Sequence, residues 1–299
     1  MRLGKRFFLL FVSLLALLLI AAACGEEEPT GTGSDGSADE ESSEGEPEFT
    51  LVEEGVLTVG SDIPYPPFEF EEAGELTGFD VEIVREIADR LGLENPDEAW
   101  ISTDFGTIFQ QLASGSQFDI VAAAVTGYAP DGSPAAETVA ERTAVVDFTI
   151  PFYPSLQSLT VDSEANPDID GVDALPEGAR VGVQRATTGA FYAEEELTGA
   201  ELVSFEKAPQ MYQQLQAGQL DGVFNDLPVT IESISDKPTL EVVEQVPTGE
   251  EYAIAVSKDN PELTEAINGT LEEMFADGTF AEIYSTYFPE QELPEYASE

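Results

Sequence analysis

Apolar residues follow a helical spacing in some stretches of the chain and form short runs in others. Between residues 79 and 93 they recur every three or four positions, which predicts an amphipathic helix that ends at Gly92. Short apolar runs bounded by Gly or Ser predict strands instead. Strands are predicted within residues 51–60, 100–101, 118–125, 180–184, 220–225 and 252–256, and further helices within 107–114, from 187 onward, and within 211–218, 262–276 and 279–287.

The order of these elements predicts the fold class. Strands that alternate with helices of about 10 to 15 residues predict an α/β fold whose parallel sheets are covered on both faces. In open sheets of this kind, ligands bind beyond the carboxyl ends of the strands. The residues just after each predicted strand are therefore the first candidates for a functional site.

The N-terminal pattern differs from the rest and is typical of an export signal. Three positive charges within the first six residues precede an uncharged run over residues 7–23. Small residues then precede Cys24, as in a bacterial lipobox, in which the cysteine becomes the lipidated first residue of the mature chain. An uncleaved membrane anchor is the alternative, because the run is only slightly shorter than the roughly 20 residues that span a bilayer. We expect residues 1–23 to be a signal peptide and Cys24 to be lipidated.

Residues 24–49 are rich in Gly, Ser, Pro and acidic side chains and contain no basic one. Such a segment cannot bury a core, and it is predicted to form a disordered acidic tether. The folded part of the chain is therefore predicted to be about residues 50–290.

Composition excludes several kinds of chemistry. The 299 residues include 60 Asp and Glu, 11 Lys and Arg, one Cys and no His, for a formal charge of −49. These counts exclude nucleophilic triads that need His, zinc sites of imidazoles or several thiolates, and disulfides, and they disfavour nucleic acid as a partner. We expect no catalytic residue, no metal and no cofactor. The acidic excess favours adaptation to salt; a funnel for a cationic ligand is the alternative.

Two of the early strand ends offer groups for a ligand side chain. Asp62 and Tyr65 follow the first predicted strand in a proline-rich loop, and Phe105 follows the strand at Trp100. Asp62 supplies a carboxylate, and the two aromatic residues supply flat faces. A surface turn and a buried core phenylalanine are the alternative interpretations.

The later strand ends offer groups for the charges of an amino acid main chain. Thr126 follows the third predicted strand, and Arg142, one of few basic residues, can bind a carboxylate with two parallel hydrogen bonds. Thr187 and Thr188 at a helix start supply hydroxyls and free N–H groups for an anion, and Asp226 could pair with an ammonium. A surface salt bridge for Arg142 and simple helix capping for the others are the alternatives. Together these groups predict a zwitterionic amino acid as the ligand.

Several longer motifs carry a resemblance to a known family. They include GFDVEIVREIADRL, which is similar to the family's signature helix, and VGVQRATTG, which is similar to its second-lobe anion loop. The others are TVGSDIPYPPFEF, DFGTIFQQLASGSQFDIVAAAVT and ADGTFAEIYSTYF. Over residues 55–289 the chain resembles the bacterial extracellular solute-binding proteins, family 3, which bind polar amino acids for ABC importers.

The resemblance implies a periplasmic-binding-protein type II fold. This fold consists of two α/β lobes with mostly parallel sheets, joined by two hinge strands, here expected near residues 153–159 and 250–254. Lobe 1 would comprise residues 50–155 plus 253–299, and lobe 2 residues 156–252.

The resemblance also implies roles for the residues that would hold the ligand's main chain. Arg142 would bind the α-carboxylate together with Thr126 and the amides of Thr187 and Thr188. Asp226 would bind the α-ammonium.

At the side-chain end, the resemblance implies that Tyr65 and Phe105 sandwich the ligand and that Asp62 bonds its distal polar group. Ala124 is also expected to line the site, at a position where relatives that prefer basic ligands often carry a hydroxyl. Ala186 replaces a glycine that is usual in the anion loop. The segment before Arg142 is about nine residues longer than usual, so it could reshape the mouth of the cleft or loop outward.

The implied function is that of the substrate-binding component of an amino acid ABC importer. The lobes would close over a polar or basic amino acid, with Arg, Lys, ornithine, His and Gln as candidates, and deliver it to the permease subunits. We expect a monomer, lipid-anchored to the outer face of the cell membrane, in the periplasm or at the cell surface. An enzyme similar to cyclohexadienyl dehydratase is an alternative, although no predicted strand end offers an obvious Glu as general acid. A ligand-sensing receptor subunit is another.

Overall fold

The computed structural model describes residues 49–297. The predicted signal peptide of residues 1–23, the lipidation site Cys24 and almost all of the predicted tether lie outside the described residues. Within residues 49–297, no helix is long and apolar enough to cross a membrane.

Thirteen strands and eight helices make up the regular structure of the described residues. The helices are α1 (Phe79–Arg90), α2 (Ile108–Ala113), α3 (Pro134–Val145), α4 (Thr188–Glu196), α5 (Ala208–Gln216), α6 (Leu227–Ile234), α7 (Pro261–Asp277) and α8 (Thr279–Tyr287). The strands are β1 (Val59–Ser61), β2 (Phe70–Glu72), β3 (Glu75–Thr77), β4 (Trp100–Ser102), β5 (Ile120–Val121), β6 (Thr126–Tyr128), β7 (Val146–Phe148), β8 (Tyr153–Asp162), β9 (Arg180–Gln184), β10 (Glu201–Phe205), β11 (Gly222–Asp226), β12 (Leu240–Tyr252) and β13 (Ala255–Ser257).

Two mixed sheets organise the molecule. The first has the strand order β4-β1-β5-β13-β7, with parallel pairing among β4, β1 and β5 and antiparallel pairing of β13 with its two neighbours. The second has the order β10-β9-β11-β8-β12-β6, with parallel pairing among β10, β9 and β11 and antiparallel pairing elsewhere. Parallel pairing is therefore confined to one part of each sheet.

Apart from β6, which joins the edge of the second sheet, the chain crosses between the two sheets at two neighbouring places. It leaves the first sheet between β7 and β8 and returns between β12 and β13. Strands β8 and β12 pair antiparallel, from Tyr153 opposite Tyr252 to Asp162 opposite Leu240, so the crossings lie side by side. This arrangement confirms the predicted bilobal α/β fold.

Aromatic side chains pack where the crossing strands meet the C-terminal helix. Tyr153 and Tyr252 stack with ring centroids 5.5 Å apart. Phe68 and Phe288 contact the Tyr153 ring at 5.1 and 4.7 Å, and Phe79, the first residue of α1, lies 5.1 Å from Phe288. All five rings are buried. Burial of such large side chains stabilises this junction strongly.

The structure corrects several predicted elements. Only Ile120–Val121 of the predicted strand 118–125 pairs as β5, and Ala124 beyond it has a φ of 47°. The segment before Arg142 forms β6, a turn and helix α3, in which Pro134 occupies the first turn. Helix α3 contains Arg142, which lines the cavity described below. The sequence patterns did not predict strand β10, helix α6 or most of strand β12.

Candidate functional site

A cavity lies between the two sheets and is lined by residues from both. The space between the atoms there amounts to about 320 Å³, part of which is open to solvent. The nine residues predicted to bind a ligand all line it, and Ala123 and Gln184 join them. The nine are Asp62, Tyr65, Phe105, Ala124, Thr126, Arg142, Thr187, Thr188 and Asp226.

Strand ends place most of these side chains. Strand β1 ends directly before Asp62, β9 ends at Gln184, and β11 ends at Asp226. The carboxyl ends of parallel strands in one sheet lie at one edge, so their loops converge there. Thr126 begins β6, and Arg142 comes from the last turns of helix α3.

Arg142 is a buried cation without a carboxylate partner among residues 49–297. Only 5% of the residue is exposed, and it forms none of the salt bridges found there. Its Nη1 donates to the Thr126 carbonyl at 2.8 Å, and the rings of Phe105 and Phe109 lie 5.3 and 5.1 Å from the guanidinium carbon. Burial lowers the pKa of Arg142 to about 10, although the charge of Glu250 opposes this shift. The alternative interpretation of Arg142, a surface salt bridge, is therefore wrong.

Glu250 accepts hydrogen bonds from the hydroxyls of two of the three threonines that were predicted to bind a carboxylate. This residue on β12 is 1% exposed, and its Oε2 accepts from the hydroxyls of Thr126 at 2.7 Å and Thr188 at 2.5 Å. The Gln157 amide is 3.3 Å from Oε1. With the hydroxyls engaged in this way, the backbone N–H groups of the α4 N-terminus are the groups left for an anion.

Asp226 lies at the opposite side of the cavity from the first sheet and bonds across the cleft. Its Oδ2 accepts from the Tyr65 hydroxyl at 2.6 Å, and its Oδ1 accepts from the Gln157 amide at 2.5 Å. Burial, with a further contribution from the charge of Glu250, raises the pKa of Asp226 to about 6. The carboxylate is thus costly to keep ionised without a cation nearby.

Asp62, which was predicted to bond the ligand's distal polar group, is also engaged across the cleft. Lys207, just before helix α5, forms a salt bridge to Asp62 Oδ1 and also donates to the Ile63 carbonyl at 3.0 Å. Gln184 donates from Nε2 to Asp62 Oδ2 at 2.7 Å. Burial raises the pKa of Asp62, and the hydrogen bond and charge of Lys207 partly offset that rise.

A third contact closes the outer edge of the same cleft. Arg185, directly after β9, pairs with Asp104 at 2.7 Å. Because Asp104 follows β4 of the first sheet, this ion pair joins the two sides as the Lys207–Asp62 pair does. The structure therefore represents a closed cleft.

The loop between β9 and α4 combines a helix cap with a strained residue. Thr187 is the N-cap of α4, and its hydroxyl accepts from the Ala190 N–H at 3.1 Å, so the predicted capping role is confirmed for this side chain. Ala186 has a φ of 63°, the left-handed conformation that favours glycine. Its carbonyl faces Arg142 Nη2 at 3.4 Å.

Sequence reasoning missed four polar residues around the cavity: Gln157, Gln184, Lys207 and Glu250. Lys207 lies just beyond β10, so the rule of inspecting strand ends would have found it had β10 been recognised. Glu250 lies within β12 rather than at a strand end, so the search for a Glu at predicted strand ends did not find it. Its signal was the alternation along β12, where Val246, Thr248, Glu250 and Tyr252 are all buried.

Metal binding finds no support in this part of the chain. Within residues 49–297, no group of three or more His, Cys, Asp or Glu side chains is arranged to hold a metal ion.

Comparisons with known proteins agree with the architecture. The sequence profile of the family described as "Bacterial extracellular solute-binding proteins, family 3" matches residues 57–290. The "ABC transporter arginine-binding protein 1" of Escherichia coli (strain K12) is 28% identical over 240 residues, which are 78% of this chain and 91% of the relative.

Two solved structures are similar over most of the chain. "An ancestral arginine-binding protein bound to glutamine" has a TM-score of 0.70 and 33% identity, and the match covers 79% of this chain and 99% of the other. "The ancestral amino acid-binding protein AncCDT-1, a precursor of cyclohexadienyl dehydratase" has a TM-score of 0.66 and 30% identity, with 78% and 95% covered.

Proposed function

Because the chain belongs to the bacterial extracellular solute-binding proteins of family 3, we propose that it captures a polar or basic amino acid between its two lobes for an ABC importer. The relatives with which it aligns are amino acid-binding proteins, including one that binds arginine and one solved with glutamine. The permease subunits of the importer would be its partners.

The observation that carries this proposal is the unpaired, buried guanidinium of Arg142 in the cavity. A buried charge is costly unless it is paired, so this position favours an anionic group of a ligand. Asp226 lines the same cavity, is half-buried, and lacks a basic partner among residues 49–297. One cation and one anion without opposite partners match the carboxylate and ammonium of a free amino acid.

Capture would proceed by hinge closure. We take residues 50–155 plus 253–299 as lobe 1 and residues 156–252 as lobe 2, with the crossings beside β8 and β12 as the hinge. The two lobes each supply part of the site, so a bound ligand makes contacts in the closed state that the open state lacks. Differential contacts of this kind shift the open and closed populations.

The protein would work as an exported monomer held at the membrane by lipid on Cys24. This part of the proposal rests on the N-terminal sequence alone. Labelling cells with a fatty acid and comparing the chain with its Cys24→Ala variant would test it.

A dehydratase is the second candidate, and Glu250 is the observation that favours it. A buried glutamate beside the cavity has the position that a general acid would need, and one structural neighbour is a precursor of such an enzyme. The hydrogen bonds that Glu250 accepts from the hydroxyls of Thr126 and Thr188 are equally compatible with a role in positioning these two threonines.

Thermal unfolding of the purified protein with each of the twenty amino acids and ornithine tests the proposal. A ligand that binds only the folded state stabilises it by about 2.7 kcal/mol at a hundred times its dissociation constant. We expect one polar amino acid to raise the melting temperature and to be recovered unchanged. Conversion of the recovered compound would favour the enzyme, and no stabilisation by any of them would contradict an amino acid ligand.

A further inference from the structure

At the side-chain end of the cavity, the lining residue Asp62 forms an ion pair within the protein itself. Lys207 comes from the second side of the cleft and Asp62 from the first, and they are 145 residues apart in the chain. Asp62 is 2% exposed. A ligand side chain that reaches this end therefore meets a carboxylate whose charge is already compensated.

Gln184 is fixed beside this pair in one orientation. Its Nε2 donates to Asp62 Oδ2 at 2.7 Å, and the reversed amide would place two oxygens against each other. The Oε1 atom is consequently turned away from Asp62. It is buried and has no hydrogen-bond partner among residues 49–297, and Gln184 lines the cavity. A buried acceptor without a donor favours a ligand that supplies one.

We propose that Lys207 determines specificity: by pairing with Asp62 across the cleft, it selects amino acids whose side chain ends in a neutral carboxamide over those that end in a cation. This inference rests on the proposed amino acid-binding function and narrows its ligand class. It replaces the expectation from sequence that Asp62 favours basic ligands.

The charges and hydrogen-bonding groups at this end explain the selection. A guanidinium or ammonium would stand beside Lys207 and compete with it for one carboxylate, so it is repelled or must displace the lysine. A carboxamide adds no charge. Its NH2 group can donate to Gln184 Oε1, and its oxygen can accept from Lys207, whose ammonium has three donors.

The competing explanation is that Lys207 acts only as a latch that stabilises closure. The two accounts differ in what a substitution changes. A latch affects every ligand by the same factor, whereas a selecting residue changes the ratio between ligands. Arg185 pairs with Asp104 across the same cleft without touching Asp62. It therefore serves as a matched control: a residue that can stabilise closure but is not expected to select among ligands.

The test is calorimetric titration of the purified full-length protein in mild detergent with L-glutamine, L-arginine and L-lysine. The variants are Lys207→Met, Lys207→Gln, Arg185→Ala and Lys258→Met, the last of which removes a lysine that pairs with Asp147 outside the cavity. We expect the unsubstituted protein to bind L-glutamine about tenfold or more tightly than either basic amino acid. Both Lys207 variants should reverse this order, and the other two should preserve it.

Three results would overturn the inference. They are tighter binding of L-arginine or L-lysine by the unsubstituted protein, an equal change for all three ligands in the Lys207 variants, and reversal by Arg185→Ala. The proposed function fails separately if the unsubstituted protein binds none of the twenty amino acids, and the inference then fails with it.

Discussion

The two ends of the cavity differ in how their charges are compensated. At the end expected to hold the ligand's main chain, Arg142 is buried and Asp226 is half-buried, and neither has an opposite charge in salt-bridge contact among residues 49–297. At the side-chain end, Asp62 is paired with Lys207 across the cleft. Under the proposed function, the first end would suit a zwitterion, whereas the second presents a neutral pair.

This difference teaches which part of the site is general and which is particular to this chain. Every α-amino acid has the same two main-chain charges, so an end that lacks their partners suits them all. Discrimination among amino acids must come from the other end. There, a single lysine changes the electrostatic character of a carboxylate that would otherwise attract cations.

The largest effect is expected for Arg142→Met at the main-chain end. Loss of the guanidinium leaves the ligand carboxylate without its cationic partner, so affinity for every amino acid should fall by about a hundredfold or more, equivalent to about 3 kcal/mol. Calorimetric titration measures the loss. Arg85→Met is the control, because Arg85 pairs with Glu82 and Asp97 outside the cavity. An equal loss in both variants would indicate a general effect of removing an arginine.

A second large effect is expected from the titration of Asp226. Its pKa of about 6 means that the carboxylate becomes protonated as the pH falls below that value, so it no longer pairs with the ammonium. Affinity should decrease by about tenfold between pH 7 and pH 5. Asp226→Asn should bind weakly at both pH values and lose this dependence.

Titration of Asp226 should also change the stability of the unliganded protein, in the direction opposite to its effect on ligand affinity. The folded-state pKa of Asp226 is raised above its ordinary value of 3.8, so the folded protein binds the proton more tightly than the unfolded chain. Its stabilising contribution is fully present below pH 3.8 and is lost as pH rises through about 6, a change of up to about 3 kcal/mol. Denaturant unfolding of the chain and of Asp226→Asn at several pH values isolates this contribution. An identical pH dependence in both would contradict it.

A smaller effect is expected for Arg185→Ala at the rim. The Arg185–Asp104 pair is partly exposed, so its contribution should be below about 1 kcal/mol. Affinity for all amino acids should fall alike, by less than about fivefold. About 1 M salt should remove the difference from the unsubstituted protein, because screening weakens exposed pairs. A change in ligand preference would show that the Arg185–Asp104 pair also contributes to selectivity among amino acids.

The smallest effect is expected for Ala186→Gly in the β9–α4 loop. Glycine relieves the strain of the positive φ at this position, and we expect the free energy of unfolding to rise by about 0.5–1 kcal/mol. Ala190→Gly within α4 is the matched control and should lower that free energy by about 1 kcal/mol. Denaturant unfolding distinguishes the two signs.

The sequence predicted the main-chain end of the site better than the side-chain end. Arg142, Thr188 and Asp226 stand near predicted strands or within a recognisable motif, so local patterns located them. Lys207 contacts Asp62 only because two distant segments meet in the fold, and the strand before it was not recognised. No local pattern carries such a contact.

The helices and strands likewise differ in how well the sequence predicted them. Helices α1, α7 and α8 have clear apolar spacing or glycine stops, and their predicted ranges agree with the structure within a few residues. Strand β12 contains many exposed or half-buried polar residues, and burial of Glu250 depends on partners from other segments. Short-range hydrophobicity therefore underestimates the elements that build the site.

The most direct test of the account is calorimetric titration with L-glutamine and two analogues that each lack one main-chain charge. L-Glutaminamide replaces the α-carboxylate, and 5-amino-5-oxopentanoic acid lacks the α-ammonium. The account predicts that L-glutamine binds and that each analogue binds about a hundredfold or more weakly, since each leaves Arg142 or Asp226 unpaired. Equal affinity for either analogue, or no binding of L-glutamine, would contradict it.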